Sequence, residues 1–252
     1  MTLYFNISVL LISTLLAGLA VLLIPKLNIS KFKILLSFSG AYLFSITVIH
    51  ILPELFHEAS DLRLTGVYVL AGFFLQMILE YFSSGVEHGH LHYDHHHGHS
   101  HAHSALPYSM FISLCLHSFL EGTLLMHPFH THAHEGAQTL LIGLVLHKIP
   151  ESFALISILI FGLKNRYVAV ALLIIYSFCS PAGLIASDLL FHSLKVDETI
   201  FQFLFAIVAG NFLYISTTIF FETSPDHKFK INRLAVLILA AVMAIVAEII
   251  MG

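Results

Sequence analysis

Apolar residues run along this chain in long continuous stretches. Charged residues and prolines break the stretches at about the interval a bilayer-crossing helix needs, roughly 17–25 residues. The first stretch runs from near Leu3 to Ile24 and stops at Pro25 and Lys26. The second runs from Lys33 to about Phe56, the third from Leu64 to about Phe82, and the fourth from Pro107 to about Met126. The fifth runs from Gly136 to Leu163. The sixth lies between Arg166 and Asp188, the seventh between Glu198 and Glu222, and the eighth follows Arg233. The pattern predicts an all-α polytopic membrane protein with eight transmembrane helices, because a helix satisfies every backbone group internally, as lipid demands. A β-barrel would need short alternating segments instead. Every connection is short except one, a His-rich loop at 84–106, so residues 1–252 read as a single transmembrane domain. Residues 1–24 have no basic leader, and a retained helix is expected there rather than a signal peptide.

Composition agrees. The chain is 58% hydrophobic and only 10% charged, against about 25% charged in ordinary soluble domains. A soluble fold could not cover its surface with so few charges. Cys115 and Cys179 both lie in apolar runs, so no disulfide framework is implied. The net charge of −4 gives no reason to expect a nucleic-acid partner. Histidine is the anomaly: 19 residues, against 11 Lys plus Arg.

The basic residues orient the chain. Odd-numbered connections hold Lys26, Lys31, Lys33, Lys164, Arg166, Lys228, Lys230 and Arg233, and even-numbered ones only Arg63 and Lys195. The excess of positive charge marks the cytosolic side. Both termini then lie outside, extracellular or lumenal, and the His-rich loop is cytosolic.

The candidate chemistry lies at mid-membrane depth. Segment four places His117 and Glu121 near its middle, and segment five places His147, Lys148 and Glu151 near its own. A charge at that depth costs about 2.5–3.5 kcal/mol on insertion scales, so these groups must face one another or water. His and Glu four residues apart share one helix face, and both segments carry that pair. A short connection makes the two helices antiparallel neighbours, whose marked faces can offer two imidazoles and two carboxylates. Such a mixed set suits zinc, Fe(II) or Mn(II) better than Ca²⁺ or Mg²⁺. Pro150 deprives the Leu146 carbonyl of its donor and predicts a kink; Pro181 does the same to Ser177. Segment six is therefore the candidate third pore-lining helix. His50 and Glu54, at the outer end of segment two, are either entrance ligands or wetted helix-end residues. Glu80, Asp188 and Glu248 read as interfacial.

These residues resemble the ZIP (Zrt-/Irt-like) family of divalent-metal transporters. The resemblance is carried by HSFLEG at 117–122 and HKIPES at 147–152, with weaker matches in HILPE at 50–54, SPAG at 180–183 and AGNFLYIS at 209–216. It implies a 3+2+3 inverted-repeat bundle, with segments four and five moving against the rest. It also implies Zn²⁺ transport into the cytosol, with His117, Glu121, His147 and Glu151 as the metal site. Fe²⁺, Mn²⁺ and Cd²⁺ are further candidate substrates. Family members with two adjacent metals carry further ligands where this chain has Ser118, Lys148 and Ser180. One ion is therefore expected, with the Lys148 ammonium in the electrostatic place of the second; a purely structural Lys148–Glu151 bond is the alternative. The lipid bilayer is the surrounding partner, of a plasma membrane or an organelle, and a homodimer is a candidate assembly.

The loop reads HGHLHYDHHHGHSHAH, with histidines at His88, His90, His92, His95, His96, His97, His99, His101 and His103. Neutral imidazoles bind softer divalent ions reversibly, so a receiving or sensing role is expected, with a plain low-complexity linker as the alternative. The stretch HPFHTHAHE at 127–135 is a weaker candidate for collecting ions outside. Two other functions share features with this chain: an intramembrane hydrolase its buried His and acidic residues, an efflux carrier its His-rich loop. An intramembrane zinc hydrolase would need a water position and a general base, yet no His-Glu-x-x-His motif is present. An efflux carrier of the cation-diffusion type would have six spans and a soluble domain. No enzymatic activity is expected.

Overall fold

The computed structural model describes residues 3–23, 29–83, 106–125, 133–163, 165–192, 198–222 and 231–251. The described residues are helical, without a strand. The helices are α1 (Leu3–Leu23), α2 (Ile29–Ile46), α3 (Leu52–His57), α4 (Leu62–Ser83), α5 (Leu106–Thr123), α6 (Ala133–Leu163), α7 (Arg166–Ser177), α8 (Cys179–His192), α9 (Glu198–Glu222) and α10 (Ile231–Met251). Asp61 caps α4 by accepting from the N–H groups of Arg63 and Leu64. Asn165 caps α7 in the same way, accepting from Tyr167 and Val168. Such caps satisfy backbone donors that a helix start otherwise leaves open.

Among the described residues, seven helical stretches are long and apolar enough to cross a membrane. The fourth predicted segment, α5, is not among them. It has 18 residues, and Ser109, Ser113, His117, Ser118 and Glu121 lower its apolar character. The chemistry that makes this helix interesting thus makes it the least obvious span. Outer and inner helices separate clearly. The spans Leu3–Leu23, Leu62–Phe82 and Ile231–Ile250 bury only 17%, 22% and 11% of their residues, whereas those of α2–α3, α6 and α9 bury 61–67%. The outward positions are Leu16, Leu70, Phe74, Leu239, Val242 and Ile249, among other apolar residues, as a lipid solvent requires.

One predicted helix is distorted, one is broken and one is continuous. Segment two contains a π-helical turn at Thr47–Ile51, where the Leu52 N–H reaches back to the Thr47 carbonyl. Pro53 accounts for it, because it cannot donate to the carbonyl four residues earlier; sequence reasoning did not anticipate this turn. Segment six breaks at Phe178, between α7 and α8, where the proline argument from Pro181 places the interruption. The predicted kink at Pro150 has no such break: α6 runs as one helix through that residue.

The most extensive helix pairings among the described residues are α4 with α9, α1 with α6, α5 with α8, and α2 with α10. Glycine makes two of them. A Cβ on Gly72 would stand 1.8 Å from the Ile207 carbonyl oxygen, and one on Gly210 1.9 Å from that of Val69. In α5 and α8, a Cβ on Gly122 would stand 2.0 Å from the Ser180 oxygen and one on Gly183 1.9 Å from that of Phe119. Backbone therefore lies directly on backbone at both interfaces, the arrangement small residues permit in membrane helices. The main core, with Leu10, Tyr42, Leu43, Ile46, Leu144, Phe212 and Ala240, draws on α1, α2, α6, α9 and α10.

Candidate metal site

His117 and Glu121 sit one turn apart on α5, and His147 and Glu151 one turn apart on α6. The packing turns these two faces toward each other, and one ligand atom from each of the four residues lies within 4.8 Å of the others. All four residues are buried, none more than 1% exposed. His117 Nε2 is 3.1 Å from Glu121 Oε1, and His147 Nε2 is 3.7 Å from the same oxygen. The two imidazole rings stand perpendicular, with centroids 6.0 Å apart. Neither ring nitrogen of His147 has a hydrogen-bond partner among the described residues, nor does Glu151 Oε1. A buried polar atom without a partner costs about 1–3 kcal/mol, and a cation could supply the missing partner here. Two nitrogens and two oxygens fit a four-coordinate transition metal.

Lys148 is a fifth member of the cluster. Its side chain is fully buried, and its ammonium bonds the Glu121 carboxylate as well as Glu151, the latter at 2.6 Å. It also donates to the Tyr176 hydroxyl at 3.2 Å. The i,i+3 bond to Glu151 was visible as an alternative in the sequence; the bond to Glu121 and the contact with Tyr176 were not, because they join α6 to α5 and α7. The other two candidate second-site positions pair with each other. Ser180 donates its hydroxyl to the Ser118 carbonyl at 2.8 Å, and the two hydroxyl oxygens are 3.4 Å apart. The Gly122–Ser180 backbone contact brings them together.

His50 and Glu54 lie apart from this cluster, on the π turn and α3. His50 Nε2 is 3.5 Å from Glu54, and Nδ1 is 2.8 Å from Glu248 on α10. Glu248 is therefore not simply interfacial: it is a half-buried partner of His50, joining α10 to the distorted part of segment two. The signal was present in the sequence, since an acid in a membrane segment calls for a partner, but its partner stands 198 positions away. Cys115 and Cys179 are free. The loop histidines from His88 to His103, and His127, His130 and His132, lie outside the described residues.

No individual curated protein matches the chain. The family model described as ZIP Zinc transporter matches residues 86–247. The match takes in α5 and α6 with their His and Glu pairs, as well as α7, α8 and α9, and starts after α4. Members of this family are transporters of zinc and related divalent metals, not enzymes. A match over well over half of the sequence, which takes in the helices that gather a buried His₂Glu₂ set, establishes that the chain belongs to the ZIP zinc transporter family.

Proposed function

We propose that the chain moves Zn²⁺ into the cytosol through the site formed by His117, Glu121, His147 and Glu151. One observation carries the reading: four ligand atoms from two helices converge within 4.8 Å in a fully buried position. Fe²⁺, Mn²⁺ and Cd²⁺ are further substrates of the same donor chemistry. The test is uptake of radiolabelled Zn²⁺ by liposomes containing the purified chain. Metal accumulation above empty liposomes supports transport; binding without accumulation would point to a metal receptor instead.

The reading includes eight spans, with α5 as the fourth, one transmembrane domain over 1–252, termini outside, and an inverted 3+2+3 repeat. Exchanging spans one to three with six to eight, and four with five, turns the close α1–α6 pair into α8–α5 and the close α4–α9 pair into α10–α2. All four are close pairs, which supports the repeat. The glycine contacts lock α5 to α8 and α4 to α9, and α6 packs on α1. This packing favours α1, α5, α6, α7 and α8 moving together against α2, α4, α9 and α10, rather than motion of α5 and α6 alone. His50 and Glu54 act as entrance ligands in a state where His50 exchanges Glu248 for the ion. The site takes one ion, with Lys148 in place of a second and Ser118 and Ser180 bonded to each other.

The His-rich loop is accessory in this reading. Deleting residues 88–103 leaves Zn²⁺ flux within about threefold of the full chain, because the segment contributes no ligand to the four-residue site. The response to excess cytosolic metal is blunted. Uptake by cells with low and high internal zinc checks both effects, and complete loss of flux in a correctly inserted deletion contradicts the accessory role.

A further inference from the structure

Lys148 supplies a cation to the site in which the substrate cation binds. Its ammonium bonds both carboxylates of the ligand set, Glu121 and Glu151. Its backbone is next to that of His147, so the charge is tethered and cannot leave with the ion. The Tyr176 hydroxyl lies 3.2 Å from Nζ, and the centroid of its ring 5.3 Å away. A hydroxyl oxygen and an aromatic face together hold an ammonium displaced from the carboxylates.

Two carboxylates and one ammonium sum to −1 in the empty site, and a divalent ion brings the sum to +1. Without the ammonium the sums would be −2 and 0. The penalty for holding charge in a low-dielectric interior grows with its square, so a −2 site costs roughly four times a −1 site. With Lys148, loaded and empty sites carry charges of equal magnitude. Without it, the loaded site is neutral and the empty one heavily penalised.

We propose that Lys148 is a tethered counter-cation that returns the empty site across the membrane. Zn²⁺ takes the Glu121 and Glu151 oxygens and the ammonium withdraws toward Tyr176. When the ion leaves, the ammonium takes the carboxylates again. Net transport needs both the loaded and the empty form to reorient, whereas exchange of one ion for another needs only the loaded form. The proposal rests on the transport-site reading above.

The experiment uses the purified full chain in liposomes buffered at pH 8, where protons are scarce. Radiolabelled Zn²⁺ uptake is measured into metal-free vesicles, for net transport, and into vesicles preloaded with unlabelled Zn²⁺, for exchange. Lys148→Met lowers the ratio of net transport to exchange by at least about tenfold, the effect of about 1.4 kcal/mol on the empty-carrier barrier. Lys148→Arg keeps the sums of −1 and +1 and holds the ratio near the wild-type value. An unchanged ratio in Lys148→Met overturns the proposal, since a merely structural cross-link would depress both fluxes together. If Lys148→Met does not insert, Lys148→Gln decides in its place: a collapsed ratio supports the proposal, and a wild-type one overturns it. His117→Ala separates the two levels. It loses both fluxes if the transport site is placed correctly, and retained exchange there refutes the site itself rather than the role of Lys148.

Discussion

His117→Ala lowers Zn²⁺ uptake by at least about 100-fold, the upper end of what losing even an outer partner of a metal ligand costs. The protein still reaches the membrane. Histidine contributes a neutral imidazole, and its removal leaves Glu121 bonded to Lys148, so no charge is stranded. Glu121→Ala differs. It removes one of two carboxylates that hold a buried ammonium, and breaking such a pair from one side costs about 3–5 kcal/mol. Loss of uptake with normal surface expression in His117→Ala, beside reduced expression in Glu121→Ala, separates ligand loss from misfolding. Uptake near wild type in a well-expressed His117→Ala chain would remove His117 from the site. The measurement is surface-labelled protein against initial uptake rate in the same cells.

Gly122→Val has a comparably large effect by another route. Any Cβ at Gly122 meets the Ser180 carbonyl oxygen at 2.0 Å. That oxygen belongs to the backbone of α8 and cannot rotate away, so the helices must separate. Overpacking a well-packed interior costs roughly 1–3 kcal/mol, and a clash between two backbones belongs at or beyond the upper end. Separation would also pull Ser180 from the Ser118 carbonyl and shift the α5 face that carries His117 and Glu121. Little folded protein is expected, read as the monodisperse fraction in detergent and as the thermal midpoint. Gly66→Ala is the control, because a Cβ there meets nothing within 4 Å. Equal stability of the two variants would show that the α5–α8 contact does not hold the fold together.

What could be read in advance follows the range of each interaction. The spans were legible because membrane solvation acts on every residue locally: a helix must be apolar wherever lipid touches it. The seventh predicted segment, Glu198 to Glu222, coincides with α9, since charges mark both of its ends. The span of α5 was legible only by placing it between its neighbours, because its own hydropathy is diluted by the groups it carries inward. The break at Phe178 followed from Pro181, whereas the π turn before Pro53 was missed although the same backbone argument applied there.

That two helices each carry a His and a Glu one turn apart is plain from the chain alone, because helical pitch converts a four-residue spacing into a shared face. It is equally plain that these groups must be paired in the membrane, because unpaired charge there is too costly. Which groups pair was decided only by the tertiary structure. Lys148 bonding Glu121 on α5, Tyr176 accepting from the ammonium, and Glu248 reaching His50 all join residues on different helices. Their distances depend on how α5 sits on α8 and α10 on α2. Those contacts are set by the fit of glycines against backbone and of side chains against neighbouring helices, a long-range property that no local pattern of residues contains.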